Sequence, residues 1–521
     1  MISTGQMITR RWYKEKTDDA AASGQIQGKE SEEKSSGAEA DKSSWSVAEK
    51  YAHKYPPHAV FSEHGAVLTR ISPCTMVRIA QLELFAKRDD AACALRLADY
   101  VIKHEFPDIL AEDEIGDEAF TSDGLQMQDA MLQLEIYTAK RYVSMYRRIA
   151  DRCAYLVAQW MRVGYVQGNM NADNILIGGK TIDYGPFGMM EEYDPAYQPF
   201  TSDDDGHFSF SEQPTAMLVN IYTLSSTIAF LVDSTVKDPA AAAELHADIK
   251  AVYDVHFHEC FSRHFTAVKH GKLGVLSEPE LLTALPQIAF KELISPLYKD
   301  LLTLMHTHRC DYTVMFRNSS EIARLLLESQ GALSVSRMLE LTAGDGAIPV
   351  DDATMEVCLA LIRDSTHIPG KIEPVEDVSS GGIPWREWLG RYLRVLVLDT
   401  IVQLSGDDAA AEGATLATVI ARRQMLQNST NPKFIMRNYM AAAVYEEFNS
   451  MQTARAQSEM DPDSPPAPIN INDPGLLWHD MMKCIENPYD LPELLRSPGL
   501  DKYFAKSPSW AIDLPGLAFM S

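Results

Sequence analysis

Two short strand-like triplets around a pair of glycines, bounded by an amide and a carboxylate, constrain this chain more than any other stretch. The run reads Val166-Gln167-Gly168-Asn169-Met170-Asn171-Ala172-Asp173-Asn174, then Ile175-Leu176-Ile177, Gly178-Gly179, Lys180-Thr181-Ile182 and Asp183-Tyr184-Gly185-Pro186-Phe187-Gly188. Short strand-like triplets flanking Gly-Gly predict a hairpin, with the glycines supplying the turn. Such a hairpin would put Asn174 and Asp183, nine positions apart, at its two ends. An amide and a carboxylate at that place offer the hard oxygen ligands that Mg²⁺ takes in a tight octahedron. Asp173, Asn174 and Asp183 also suit turns for local hydrogen-bonding reasons, and their spacing alone does not separate the two readings.

What precedes the run favours the metal site. Met145, Ile149, Cys153, Leu156, Trp160 and Val163 fall at helical intervals and end at Gly164, an amphipathic helix with a glycine stop. Helix, stop, polar loop, hairpin and Asp-Tyr-Gly is the order of a protein-kinase-like C-lobe, where the Asn and the Asp hold Mg²⁺ against the phosphates of ATP. One position departs from a kinase. The catalytic Asp should lie five residues before the metal-binding Asn, and Asn169 stands there. A neutral amide cannot take a proton from an attacking hydroxyl. Asp173, the carboxylate of this loop, becomes the candidate base.

The block from Gly164 through Gln213-Pro214 resembles the selenoprotein O family of kinase-like protein adenylyltransferases. The resemblance rests on Gly168 through Asn174, Thr181 through Gly188, Tyr193-Asp194-Pro195, and Phe210 with Gln213-Pro214. It extends to Ala66 through Arg70, Ala98-Asp99-Tyr100-Val101-Ile102, Asp311-Tyr312-Thr313 with Phe316-Arg317, and Trp385 with Trp388-Leu389. Asn431 through Phe434, Arg437-Asn438-Tyr439 and Asn487-Pro488-Tyr489-Asp490 complete it in the family's order. The resemblance implies that AMP passes from ATP to a Ser, Thr or Tyr hydroxyl of a protein, with Mg²⁺ or Mn²⁺ bound. It implies metal ligation by Asn174 and Asp183, Asp173 as base, and Arg70 and Arg78 on nucleotide phosphates; Arg78 matches only with a one-residue shift. A guanidinium fork suits phosphate oxygens; a surface ion pair is the competing role for either arginine. Gln167 stands where relatives carry His, and can still hydrogen-bond the loop.

The expected fold is α+β and predominantly α-helical: a kinase-like C-lobe with a helical C-terminal extension, and an N-lobe largely missing. Residues 1–44 read as a disordered polar extension, because Asp18 to Ser44 carries almost no large apolar residue. Residues 45–59 form a lead-in, 60–327 the C-lobe with a helix over Leu218 to Val232, and 328–521 the extension. That extension has loops near 364–384 and 452–474. No G-x-G-x-x-G and no P-loop lysine motif occurs in the sequence. Without the strand Lys and glycine-rich loop of an N-lobe, an inactive remnant serving as a binding module is the alternative to an active enzyme.

The formal net charge of −26 argues against nucleic acid as partner, since phosphate neutralisation needs clustered Lys and Arg. No membrane span is expected, and the best candidate, Tyr392 to Leu404, is broken by Arg394 and Asp399. Cysteines at 74, 93, 153, 260, 310, 358 and 484 are scattered singly, which suits a reducing compartment rather than a disulfide framework. The groups His256, His258, Glu259, Cys260, His264 and His306, His308, Cys310 lack zinc-ligand spacing, and Asp203-Asp204-Asp205-Gly206 reads as a solvated turn. The resemblance implies a mitochondrial location; the acidic residues soon after Arg10-Arg11 leave a cytoplasmic one open.

Overall fold

A computed structural model describes residues 2–11, 60–67, 75–114, 127–182, 185–200, 202–277, 290–331, 334–344, 346–367, 383–405, 415–458, 476–489 and 501–512. They divide into two compact units, Met1–Ile71 and Ser72–Ser521. In the smaller, β1 (Ile2–Arg11) pairs antiparallel with β2 (Val60–Val67), from Ile2 opposite Val67 to Arg11 opposite Val60. The register shifts between Ser3 and Met7. Residues 2–11 are therefore a strand and not part of a disordered extension. Ile2, Thr4, Ile8 and Thr9 favour pleated backbone, but their partner lies too far along the chain for a local pattern to reveal. The tract Asp18 to Ser44, the lead-in 45–59 and Arg70 lie outside the described residues.

The larger unit is predominantly helical. It opens with α1 (Ile79–Lys87), α2 (Ala91–Glu105) and α3 (Pro107–Glu114), which lead to the long α4 (Met127–Val163). Met145, Ile149, Cys153, Leu156 and Trp160 on α4 are all buried, as their spacing requires. Gly164 stops the helix in the left-handed region, at φ +77°, where a side chain is strained and an added Cβ would come within 3.0 Å of the Tyr312 ring. Two three-residue strands follow, β3 (Tyr165–Gln167) and β4 (Phe187–Met189). Next come α5 (Gln213–Thr235), α6 (Pro239–Ala251), a π turn over Val252–His256, and α7 (Phe257–Leu273). Ile221, Leu224, Ile228 and Leu231 of α5 pack with the α4 stripe in one core.

A second core is built by α8 (Phe290–Thr307), α9 (Tyr312–Glu328), α10 (Val335–Thr342), α11 (Asp352–Ser365), α12 (Trp385–Ser405) and α13 (Leu416–Thr430). It joins Phe316, Leu326 and Leu327 to Met338, Trp388 and Leu396. The apolar core thus runs straight through the boundary that the sequence suggests at 327/328. α14 (Asn438–Ser458) and α15 (Leu477–Glu486) add a small third cluster around Phe434, Met440 and Met481. The helix extends to Ser458, so the loop expected at 452–474 does not begin at 452: Met451 through Gln457 are mostly good helix formers. Among the described residues, Phe210–Thr235 is the one helical stretch long and apolar enough to cross a membrane, and half of its most apolar window is buried inside the protein. The stretch Tyr392 to Leu404 lies in α12, where Asp399 and Arg394 are buried rather than lipid-facing.

Candidate nucleotide and metal site

The β3–β4 ladder sets Tyr165 opposite Met189, Val166 opposite Gly188 and Gln167 opposite Phe187. It closes the neck of the loop that carries the candidate residues. Just beyond it the Gly168 amide donates to Pro186 O at 2.8 Å. A Cβ at Gly168 would lie 2.5 Å from that oxygen, so this closure requires glycine. Inside the neck the loop folds on its own amides. Asn171 N donates to Asn169 Oδ1 at 3.2 Å and Asn174 N to Asn171 O at 2.8 Å, which winds Ala172–Asn174 into one 3₁₀ turn. Asn174 Nδ2 donates to Asn169 O at 3.2 Å. That bond fixes which end of the Asn174 amide is the oxygen, and an amide oxygen is a proper ligand for a hard cation. Asn169 therefore braces the loop instead of offering a proton acceptor. Asp173 is exposed, while α5 holds the loop from below through Asn220 Nδ2, which donates to Met170 O at 2.7 Å.

The glycine pair makes the turn, but the hairpin is absent. Gly179 sits at φ +66° and its amide donates to Leu176 O at 3.0 Å. Ile175–Ile177 pairs instead with the segment before α1: Ile177 N donates to Val77 O and Ile79 N to Ile175 O, both at 3.0 Å, around an Arg78–Leu176 bridge. The distant segment wins because its partners are buried: Ile79, Ile175 and Ile177 are all in the α4–α5 core. This pairing brings Arg78 to the site, where Nη1 donates to Asp173 O at 2.8 Å. Among the described residues, then, Arg78, Asp173 and Asn174 come together. Asp183 and Arg70 lie outside the described residues; Thr181, two positions before Asp183, is held by the Trp160 indole N–H at 2.8 Å.

Gln167 is buried and bonded on two sides. Its Oε1 accepts from the Tyr165 hydroxyl, and its backbone amide donates to Gln213 Oε1 at 3.1 Å. Sequence reasoning missed Asn220, which bonds the loop at Met170 O, and Glu105, which bonds Thr75 and Arg152. A buried-face Asn beside Ile221, and a Glu closing a helix just before Phe106-Pro107, are the signals available for them.

The outlying matches are joints. Asp311 caps α9 through Val314 N at 2.9 Å and faces Arg437 Nη1 at 2.8 Å, both side chains buried. Glu191, at 3.5 Å from the same guanidinium, has its carboxyl raised by burial, although Arg437 pulls it down. Lys433 N and Phe434 N both donate to Pro488 O, at 2.8 and 3.1 Å, so two matched segments bind each other. Arg162 ties them to α4 through Thr430 O at 2.6 Å and Tyr489 Oη at 2.7 Å. The histidines scatter to separate partners: His256 to Cys260 Sγ at 3.6 Å, His264 to Asp151 at 3.0 Å, His306 to Tyr193 O at 3.3 Å and His308 to Leu304 O at 2.9 Å. Burial raises the Cys260 thiol to about 11. Asp203 closes its own turn through Phe208 N at 2.8 Å and His207 N at 3.1 Å.

Known proteins share this sequence over most of its length. A relative named Protein nucleotidyltransferase YdiU from Rhodopirellula baltica is 26% identical over 468 residues, covering 90% of this chain and 66% of the relative. The protein of the same name from Photobacterium profundum is 29% identical over 382 residues, 73% of this chain and 57% of its own. That from Rhizobium leguminosarum is 30% identical over 259 residues, 50% of this chain and 43% of its own. The chain spans no more than about two thirds of the length of these relatives. They are nucleotidyltransferases by name. The sequence model of the family described as Protein adenylyltransferase SelO matches residues 57–461, and the chain belongs to that family.

Proposed function

We propose that this protein transfers AMP from ATP to Ser, Thr or Tyr hydroxyls of other proteins, with Mg²⁺ or Mn²⁺ bound. The observation that carries the proposal is the Arg78 guanidinium bonded to Asp173 O, a fixed cation beside an exposed carboxylate and its neighbour Asn174. One N–H of the guanidinium serves the loop, and a fork of five donors leaves others for phosphate oxygens. On this reading the region 60–327 works as a kinase-like C-lobe, and Arg70 adds a second phosphate contact. Asn174 and Asp183 would hold the cation, and an amide oxygen with a carboxylate suits a hard ion. When bound, that ion neutralises phosphate charge as it builds.

The substrate hydroxyl attacks the α-phosphorus. A P–O bond to the protein forms, the bond from the α-phosphorus to the oxygen bridging to the β-phosphate breaks, and pyrophosphate leaves. Asp173 receives the hydroxyl proton. Asn169 supports this division of labour, since its amide is engaged in bracing Asn171 and Asn174.

The test incubates the protein with ATP labelled at the α- or the γ-phosphate, with Mg²⁺ or Mn²⁺, beside Asp183→Ala. Label passing to protein from the α-position alone, and lost in the variant, is the expected result. Label from the γ-position overturns it in favour of a kinase, and no transfer from either overturns it in favour of a binding module.

A further inference from the structure

We propose that Glu105, the last residue of α2, is the positioning residue that sets Arg78 on the nucleotide phosphates. This rests on the proposed role of Arg78. Glu105 is only 7% exposed, and its carboxylate stands between the two segments whose pairing places Arg78. On one side Oε1 accepts from both Thr75 N and Thr75 Oγ1, each at 2.8 Å. Thr75 leads directly into Val77–Ile79, the segment paired with Ile175–Ile177. On the other side the carboxylate lies against the glycine turn: a Cβ on Gly178 would sit 2.9 Å from Oε2, and one on Gly179 2.7 Å from Arg152 Cβ. Arg152 completes the platform. Its Nη1 donates to Glu105 Oε2 at 3.3 Å and its Nη2 to Glu105 O at 2.9 Å, while the guanidinium lies 4.4 Å from the Phe106 ring centroid.

This explains the glycine pair in another way than a hairpin does. Gly178 leaves room for a buried carboxylate, and Gly179 lets the turn pass Arg152. A buried, charge-assisted carboxylate bonded to two donors of one residue holds that residue firmly. Glu105 thereby fixes the register of Val77–Ile79 against Ile175–Ile177. Arg78 Nη1 meets Asp173 O only in that register.

The experiment measures KM for ATP, kcat for AMP transfer, and ATP affinity by calorimetry in the full chain with Mg²⁺. Glu105→Gln and Thr75→Val should each weaken ATP binding and raise KM by about tenfold, the loss of one charge-assisted hydrogen bond, with kcat changed less than about twofold. Thr75→Ser, which keeps the hydroxyl, should restore the wild-type KM. A purely structural role would lower the unfolding temperature and leave the KM of the folded fraction unchanged, and that result overturns the proposal. Arg78→Gln is the reference. If it leaves ATP affinity intact, the phosphate role of Arg78 fails, and the positioning of a nucleotide by Glu105 fails with it. If Arg78→Gln weakens ATP binding and Glu105→Gln does not, only the role of Glu105 falls. Hydrogen exchange at the Ile79 and Ile177 amides, measured without nucleotide, reads the register directly. Exchange unchanged in Glu105→Gln also counts against the proposal.

Discussion

Asp399 and Asp173 are both carboxylates within networks of polar bonds, and they are used in opposite ways. At the joint of α7, α12 and α13, Asp399 accepts from Leu276 N and Ser277 N at 3.0 Å and Ser277 Oγ at 2.6 Å, and faces Arg423 at 2.8 Å. Neither partner reaches solvent, at 0% and 1% exposure. In the loop after β3, Asp173 gives its backbone carbonyl to Arg78 and keeps its carboxylate exposed. In the first case the charge is consumed by the fold. In the second the backbone does the holding and the carboxylate stays open to solvent. Being acidic and near an arginine therefore does not by itself mark a functional residue.

The contrast makes Asp399→Ala the most damaging change. Breaking a buried pair strands a charge, here that of Arg423, and costs about 3–5 kcal/mol. Denaturant unfolding should show that loss, and a cost of under about 1 kcal/mol would mean the joint behaves like a surface pair. Asp173→Asn should do the reverse. The thermal midpoint should stay in place while AMP transfer falls by about 10²–10⁴-fold, the usual contribution of a general base. A drop in midpoint without loss of rate would turn Asp173 into a structural residue of the Asp399 kind.

The smallest effect concerns a lysine that is buried with no carboxylate partner among the described residues. Lys272 Nζ lies 4.5 Å and 3.6 Å from the ring centroids of Tyr312 and Phe316, and 3.3 Å from Asn431 Oδ1. Burial pushes its ammonium well below the ordinary lysine range. Between the folded and the unfolded pKa the unfolded chain binds more protons, so stability rises with pH there. The wild type should therefore gain midpoint temperature from about pH 7 to about pH 9, on the approach to the unfolded lysine value, and Lys272→Met should lose that slope. Parallel curves would show that the two rings keep the ammonium charged.

The α4 stripe, its stop at Gly164 and the apolar side of α5 were legible because each is a local pattern with one physical solution. The loop was legible as a polar segment, since Asn169, Asp173 and Asn174 fall within a few residues of one another. Its architecture was not. The triplet Ile175–Ile177 and the glycine pair predict a hairpin locally, but a buried segment from before α1 takes the pairing. The same competition turned Ile2–Arg11 into a strand and carried the core past residue 327. In each case the deciding partner is remote in sequence, and its contribution comes from burial that no local window contains.

By itself, then, the sequence determined the helical framework, the position of the polar loop and the family, because periodicity and residue type act over a few positions. Only the tertiary structure decided that Arg78 reaches Asp173, that Glu105 stands behind it, and that Asp311, Arg437 and Asp399 serve the fold. Those roles depend on which groups are desolvated together, and desolvation is settled when distant segments pack.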